Sequence, residues 1–151
     1  AITHNDHDLT VVDVARAIKP PFNPSQVVAE YAQLLKQYRI HKVCGDNYAG
    51  EWPKEAFQKH GISYERSTKN RSEIYIDLLP LLNSERAELP PIPQLSNELI
   101  GLERRTSRSG RDIIDHAPGG HDDLCNAVAG AVVFSAQARK EILNIKFTFS
   151  Y

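Results

Sequence analysis

At 151 residues the chain is long enough for one domain with a real core, and its 41% apolar and 25% charged residues are ordinary for a globular protein. A net charge of −1 excludes wholesale coating of nucleic acid but leaves room for a local basic patch. No run approaches ~18 apolar residues and no charged-then-apolar leader is present, so neither a membrane-spanning helix nor a signal peptide is expected.

Ala1 to His4 reads as the end of a strand, Asn5-Asp6-His7-Asp8 as a turn, and Leu9 to Val14 as a second, β-branched strand. Together they predict a hairpin. Pro20-Pro21 ends regular structure. Asn23 then caps a helix, with Pro24 at its first position and Gln26 placed for a capping box. Val27, Tyr31, Leu34, Leu35 and Tyr38 give that helix one apolar face. Ile40 to Gly45 is a strand, and a strand after a helix after a strand suggests α/β layers. Asp46 falls at the carboxyl end of this strand, where open α/β sheets place their ligands. The same Gly45-Asp46-Asn47 also reads as a plain turn.

Trp52-Pro53 starts a helix that Gly61 stops, with Ala56 and Phe57 facing inward and Trp52 as a packing anchor. Ile62 to Glu65 is a short strand. The next helix carries Ile74, Leu78, Leu81 and Leu82, and Pro80 should kink it. Lys69 and Arg71 near its start are placed to meet a phosphate, with solvent exposure as the default for such charges. A Pro-rich connector, Leu89 to Pro93, leads to a short helix with Leu95, Leu99 and Leu102 on one side. Glu103 to His116 reads as a hairpin turning near Ser109-Gly110. Arg104, Arg105, Arg108 and Arg111 lie on it, either as a basic finger for DNA phosphates or as a solvated charged loop. The alternating Ile142 to Tyr151 predicts a strand or extended tail. Cys44 and Cys125 lack metal-ligand spacing and are expected as buried thiols, which fits a reducing compartment.

The chain is organised around Gly119 to Ala131. Two glycines permit a sharp turn, then His121, Asp122 and Asp123 open a helix whose Ala127, Ala129, Gly130 and Ala131 suit close packing on a sheet. One Asp is enough to cap a helix, so two Asp and a His exceed what capping needs. Hard divalent cations prefer such carboxylate oxygens. His121 and His116 are placed either to orient water or phosphate or as bystanders.

The order of short motifs carries a resemblance. It runs from Pro20-Pro21-Phe22 through Gly45-Asp46 and Tyr48-Ala49-Gly50-Glu51-Trp52, Ser72-Glu73-Ile74-Tyr75, Pro80-Leu81-Leu82-Asn83, Leu102-Glu103-Arg104-Arg105 and Gly110-Arg111-Asp112 to Gly120-His121-Asp122-Asp123. In that order and spacing the chain resembles the nuclease domain of the large terminase subunit of tailed bacteriophages, over nearly its whole length. The resemblance implies an RNase H-like α/β fold, a mixed sheet flanked by helices, in one domain over residues 1–151 belonging to a longer subunit. It implies a metal-dependent endonuclease that cuts double-stranded DNA during packaging. The family's acidic positions fall on Asp46, Asp122 and Asp123, which would hold Mg²⁺ or Mn²⁺ in a two-metal site. Asp123 is preferred as the direct ligand, because Asp122 is expected to cap the helix.

The family's first catalytic Asp lies upstream of the segment matching Ala1 to His4, so its first strand is incomplete here. Weak metal binding, or an inactive fragment, is therefore expected. Ala1 is compatible with a trimmed initiator Met or with a piece of a longer chain, and no GxxxxGK[ST] phosphate loop occurs. Partners implied by resemblance are double-stranded DNA, a terminase ATPase domain, the small subunit and the portal, in the cytoplasm of a bacterial host, as phage or prophage protein. No membrane is implied, and the isolated domain is expected to be a monomer. Two alternatives stand beside this: a non-catalytic DNA-binding or docking module on the same fold, and another RNase H-like nuclease such as a junction resolvase.

Overall fold

The computed structural model describes residues 1–45, 51–107 and 110–147, with side chains described as far as Arg139. The elements in order are β1 (Ile2–Asp6), β2 (Leu9–Val14), α1 (Pro24–Gln37), β3 (Lys42–Gly45), α2 (Trp52–Gln58), β4 (Ser63–Arg66), α3 (Arg71–Asn83), β5 (Ala87–Glu88), α4 (Pro93–Ile100), β6 (Leu102–Thr106), β7 (Asp112–His116) and α5 (Asp123–Phe147). They fall into two compact units, one formed by 1–16 with 71–151 and the other by 17–70.

The larger unit contains the organising helix. Leu124, Cys125, Val128, Ala129, Val132 and Val133 are all buried, a spacing that keeps one stripe of α5 inward at 3.6 residues per turn. That stripe packs with Ile74, Tyr75, Leu78 and Leu81 of α3, Leu95 of α4 and Val12 of β2 into one cluster. Each fully buried Leu, Val or Ile contributes about 1.5–3 kcal/mol. The cluster is thus the main support of the N-terminus of α5. Ala129 is fully buried, consistent with close helix packing, whereas Ala127 is exposed.

Beside this core, β1 and β2 form the predicted antiparallel hairpin, and β2 also pairs in parallel with β5, giving a mixed three-stranded sheet. Pairing along β1 shifts between Ile2 and Thr3, so Ile2 meets Val14 while Thr3 meets Val12. Thr10, buried, donates its hydroxyl to Asn5 across the hairpin. β6 and β7 form a separate antiparallel hairpin, as the sequence predicts, with Gly110 at φ +78° in its connection. The Ser72 hydroxyl fastens this hairpin to α3: the Ile114 N–H donates to it at 2.9 Å, and it donates to the Ile114 carbonyl at 3.3 Å.

In the smaller unit, α1 is capped as predicted, the Asn23 side chain accepting the N–H groups of Ser25 and Gln26 with Pro24 at the first position. β3 and β4 pair in parallel, and Phe57 of α2 stacks on Tyr64 of β4 at 5.9 Å between ring centroids. Gly45 is required where it stands. A Cβ there would lie 2.1 Å from the Tyr64 hydroxyl oxygen.

Three expectations are corrected. Residues 142–147 continue α5 instead of forming a strand. No Gly or Pro stops the helix after Gly130, and the run Ala-Arg-Lys-Glu-Ile-Leu is rich in strong helix formers. Cys44 is exposed rather than buried, because alternation along β3 turns Val43 and Gly45 inward. Trp52 is 47% exposed and so no packing anchor. As expected, α3 runs through Pro80 and carries Leu81 and Leu82, ending at Asn83. The short strand β5 had no sequence signal. Among the described residues no helix is long and apolar enough to cross a membrane.

Candidate functional site

The turn before α5 is set by its glycines. Gly119 has φ +80°, a conformation that L side chains rarely adopt. A Cβ on Gly120 would meet the Ala117 carbonyl oxygen at 3.0 Å. This tight turn delivers His121, Asp122 and Asp123 to the start of the helix.

The two acids then part company. Asp123, the first residue of α5, is exposed. Asp122 is buried, and its backbone carbonyl accepts the Asn126 N–H at 2.7 Å. Its carboxylate does not cap the helix, contrary to expectation. Instead Oδ2 accepts the Tyr75 hydroxyl at 2.9 Å, and the Arg71 Nη1 lies 3.3 Å from both oxygens. Capping comes from α4: the buried Glu98 accepts the Cys125 N–H at 2.7 Å through Oε2 and the Gln94 side-chain amide at 2.7 Å through Oε1.

Arg71 is the largest departure from the sequence reading, which left it in solvent. Its Nη2 lies 2.9 Å from Asp115 Oδ1 while Nη1 holds Asp122, so one guanidinium spans β7 and the start of α5. Burial, reinforced by Cys125 and Asp122, pushes the Tyr75 phenol far above its usual range, keeping it a donor to Asp122. Burial likewise pushes the Cys125 thiol up to about 12. Arg71 therefore bridges Asp115 and Asp122, while Glu98 binds the Cys125 N–H and Asp123 is exposed at the first position of α5. Sequence reading missed Arg71, Tyr75, Asp115 and Glu98. Tyr75 sat in a motif, but nothing in spacing alone says which acid a phenol or guanidinium will meet.

Of the histidines, His121 is exposed. The His116 Nδ1 lies 2.9 Å from the Ala117 carbonyl, and its Nε2 lies 3.7 Å from Asp115. Asp46 and Arg108 lie outside the described residues. On the hairpin, Arg104 pairs with Asp112 at 2.5 Å and Arg105 with Glu103. Arg111 is exposed. Hydrogen bonding to Arg104 lowers the Asp112 carboxyl from its usual range, and the pairing raises both arginines. Among the described arginines of the hairpin, Arg104 and Arg105 are thus paired with carboxylates.

Among the described residues no group of three His, Cys, Asp or Glu side chains is arranged to hold a metal ion. The donor chemistry nevertheless suits a hard divalent cation. Asp123 offers an exposed carboxylate, and the buried Asn126 Oδ1, on the next turn of α5, has no hydrogen-bond partner among the described residues. Asp122 is a poorer donor, since its oxygens already accept from Tyr75 and face Arg71.

No protein-family model and no curated protein matches the sequence. Solved structures do match. The large terminase nuclease of thermophilic phage G20c superposes with a TM-score of 0.65 at 22% identity, over 78% of this chain and 64% of that one. That nuclease is also known with bound cobalt and with bound magnesium. The large terminase nuclease domain of Thermus phage P74-26 matches with a TM-score of 0.60 at 21% identity, over 78% of this chain and 62% of that one. The large terminase of bacteriophage HK97 matches with a TM-score of 0.60 at 16% identity, over 74% of this chain and 25% of that one. The matched part spans less than two thirds of each relative. The chain has the RNase H-like α/β fold of these large terminase nucleases.

Proposed function

We propose that this chain is the nuclease domain of a phage large terminase, a metal-dependent endonuclease that cuts double-stranded DNA during genome packaging. The observation that carries the proposal is the fold shared with terminase nucleases of three phages, in a chain that opens α5 with His121-Asp122-Asp123. The magnesium and cobalt complexes of the G20c nuclease support a divalent cation here. On this reading residues 1–151 are part of a longer large subunit acting in the bacterial host's cytoplasm with an ATPase domain, a small subunit and a portal.

Asp123 would hold the cation; the resemblance assigns the family's other acidic position to Asp46, which lies outside the described residues. When bound, divalent ions activate a water and stabilise the leaving oxygen of the phosphodiester. The chain's own residues do the rest. Asp122, held by Tyr75 and Arg71, anchors the start of α5. The exposed His121 stands beside the acids, where an imidazole orients phosphate or water. Arg111 on the hairpin offers charge to the DNA backbone, joined by Arg104 and Arg105 when phosphate displaces their carboxylate partners.

One observation favours a second reading, a DNA-binding module without catalysis: the Asp122 carboxylate is already engaged by Arg71 and Tyr75. Mn²⁺ titration of wild type and Asp123→Asn separates the two. The nuclease reading expects at least tenfold weaker Mn²⁺ binding in the variant, with an unchanged melting temperature. Equal affinity removes Asp123 from the metal site and favours the binding module.

A further inference from the structure

Arg71 stands where a site for two cations would least tolerate a fixed charge. Its guanidinium touches two carboxylates near the start of α5, lying 3.3 Å from both oxygens of Asp122 and 2.9 Å from Asp115. The arrangement is held from several sides. Arg71 is the first residue of α3, and its neighbour Ser72 bonds both backbone polar groups of Ile114, immediately before Asp115. Asp122 is clamped by Tyr75, one turn along the same helix. The fork of an arginine suits such bridging, and its charge persists at every accessible pH.

We infer that Arg71 takes the place of one divalent cation in this centre, so that the acids of α5 and β7 bind one metal ion rather than the two the family resemblance implies. The inference rests on the metal-site reading above and deepens it. A cation coordinated by Asp122 or Asp115 needs oxygens at ~2.0–2.6 Å. Those oxygens already face a guanidinium, so the ion would sit within several ångströms of a positive charge. Even at the dielectric of water, a divalent ion ~5 Å from a guanidinium is disfavoured roughly tenfold or more. Asp123, exposed at the first position of α5, is left as the acid of this unit that accepts metal. Arg71 is a positioning residue: it holds Asp122 and Asp115 in place and sets how many cations they admit.

The test is Mn²⁺ binding, read as affinity and stoichiometry by calorimetry and by electron paramagnetic resonance, on wild type, Arg71→Gln, Asp115→Asn and the double variant. Arg71→Gln is expected to bind Mn²⁺ at least tenfold more tightly and to gain one equivalent. Arg71→Lys, which keeps the charge, should stay within threefold of wild type. Asp115→Asn alone should change affinity by less than threefold, because Arg71 already occupies that carboxylate. In the double variant the gain should vanish, a coupling that loss of packing would not produce. The inference is overturned if folded Arg71→Gln binds Mn²⁺ no more tightly than wild type, or if no variant binds it. If Arg71→Gln does not fold, Asp115→Asn still decides: a tenfold loss of affinity makes Asp115 a ligand in the wild type and refutes the inference. Failure of the nuclease reading shows differently, as metal binding without DNA cleavage.

Discussion

Glu98 gives the sharpest stability prediction. It is a buried carboxylate on α4, 8% exposed, that accepts the Cys125 N–H at 2.7 Å. Cys125 is the third residue of α5, so this N–H has no intrahelical acceptor. A hydrogen bond to a charged acceptor contributes about 1.5–3 kcal/mol, and an anion at a helix N-terminus adds about 0.3–1 kcal/mol. Removing the buried charge returns part of its desolvation cost. Glu98→Ala should therefore destabilise the larger unit by roughly 2–3 kcal/mol. At about 2–4 °C per kcal/mol for a chain of this size, the melting temperature should fall by roughly 5–10 °C. Glu98→Gln keeps an acceptor for the Cys125 N–H but loses the charge and the acceptor for the Gln94 amide, so its cost should be about 1–2 kcal/mol, below that of Glu98→Ala. Urea and thermal melts followed by far-UV circular dichroism measure both. If Glu98→Ala lies within about 0.5 kcal/mol of wild type, or Glu98→Gln costs more than Glu98→Ala, the cap is not what holds the start of α5.

Other consequences are as direct. Tyr75→Phe removes the hydroxyl donated to buried Asp122 and should cost about 1–3 kcal/mol in a urea melt; no change would mean Arg71 alone suffices to hold that carboxylate. At pH 8 a thiol reagent should label only the exposed Cys44 in the native chain, with Cys125 reacting only after denaturation, and two thiols labelled at once would refute its burial. The Cys125 thiol, raised from 9.0 to about 12, contributes stability that is complete below pH 9 and lost as pH rises towards 12. The loss is bounded at about 4 kcal/mol, and an alkaline melt of Cys125→Ala should show a shallower fall than wild type. Neutralising Arg104, Arg105 and Arg111 together should reduce the slope of log affinity against log salt for double-stranded DNA by about 2–3. An unchanged slope means the hairpin does not touch phosphate.

Much of the architecture could be read in the sequence, because local chemistry determined it. Asn23-Pro24 is a cap in the sequence and in the structure. The alternation of β1 and β2 and the turn signal at Gly110 gave two hairpins that do form. What failed were readings in which a short pattern fits two periods. Ile145, Phe147 and Phe149 alternate, yet Ile145 and Phe149 are also four apart, and a helix already under way through Ala136 and Arg139 continues to Phe147, residues 148–151 lying outside the described part. The acidic pair was legible as a pair, but its division of labour was not. That Asp122 turns inward to Tyr75 and Arg71 while Asp123 stays outside depends on where α3 packs against α5, a tertiary fact. Arg71 shows the same limit. A charge at the start of a helix is solvated by default, and only its placement opposite Asp115 and Asp122 makes it part of a centre.

The account's central claim is that these acids serve DNA cleavage with a divalent cation. Nicking of supercoiled plasmid in Mn²⁺, with Asp123→Asn and Asp46→Ala run beside wild type, tests it most directly. The prediction is that whatever relaxation of the plasmid wild type gives, weak as the incomplete first strand would make it, is lost in both variants while their melting temperatures stay unchanged. Nicking that persists undiminished in both folded variants would contradict that role.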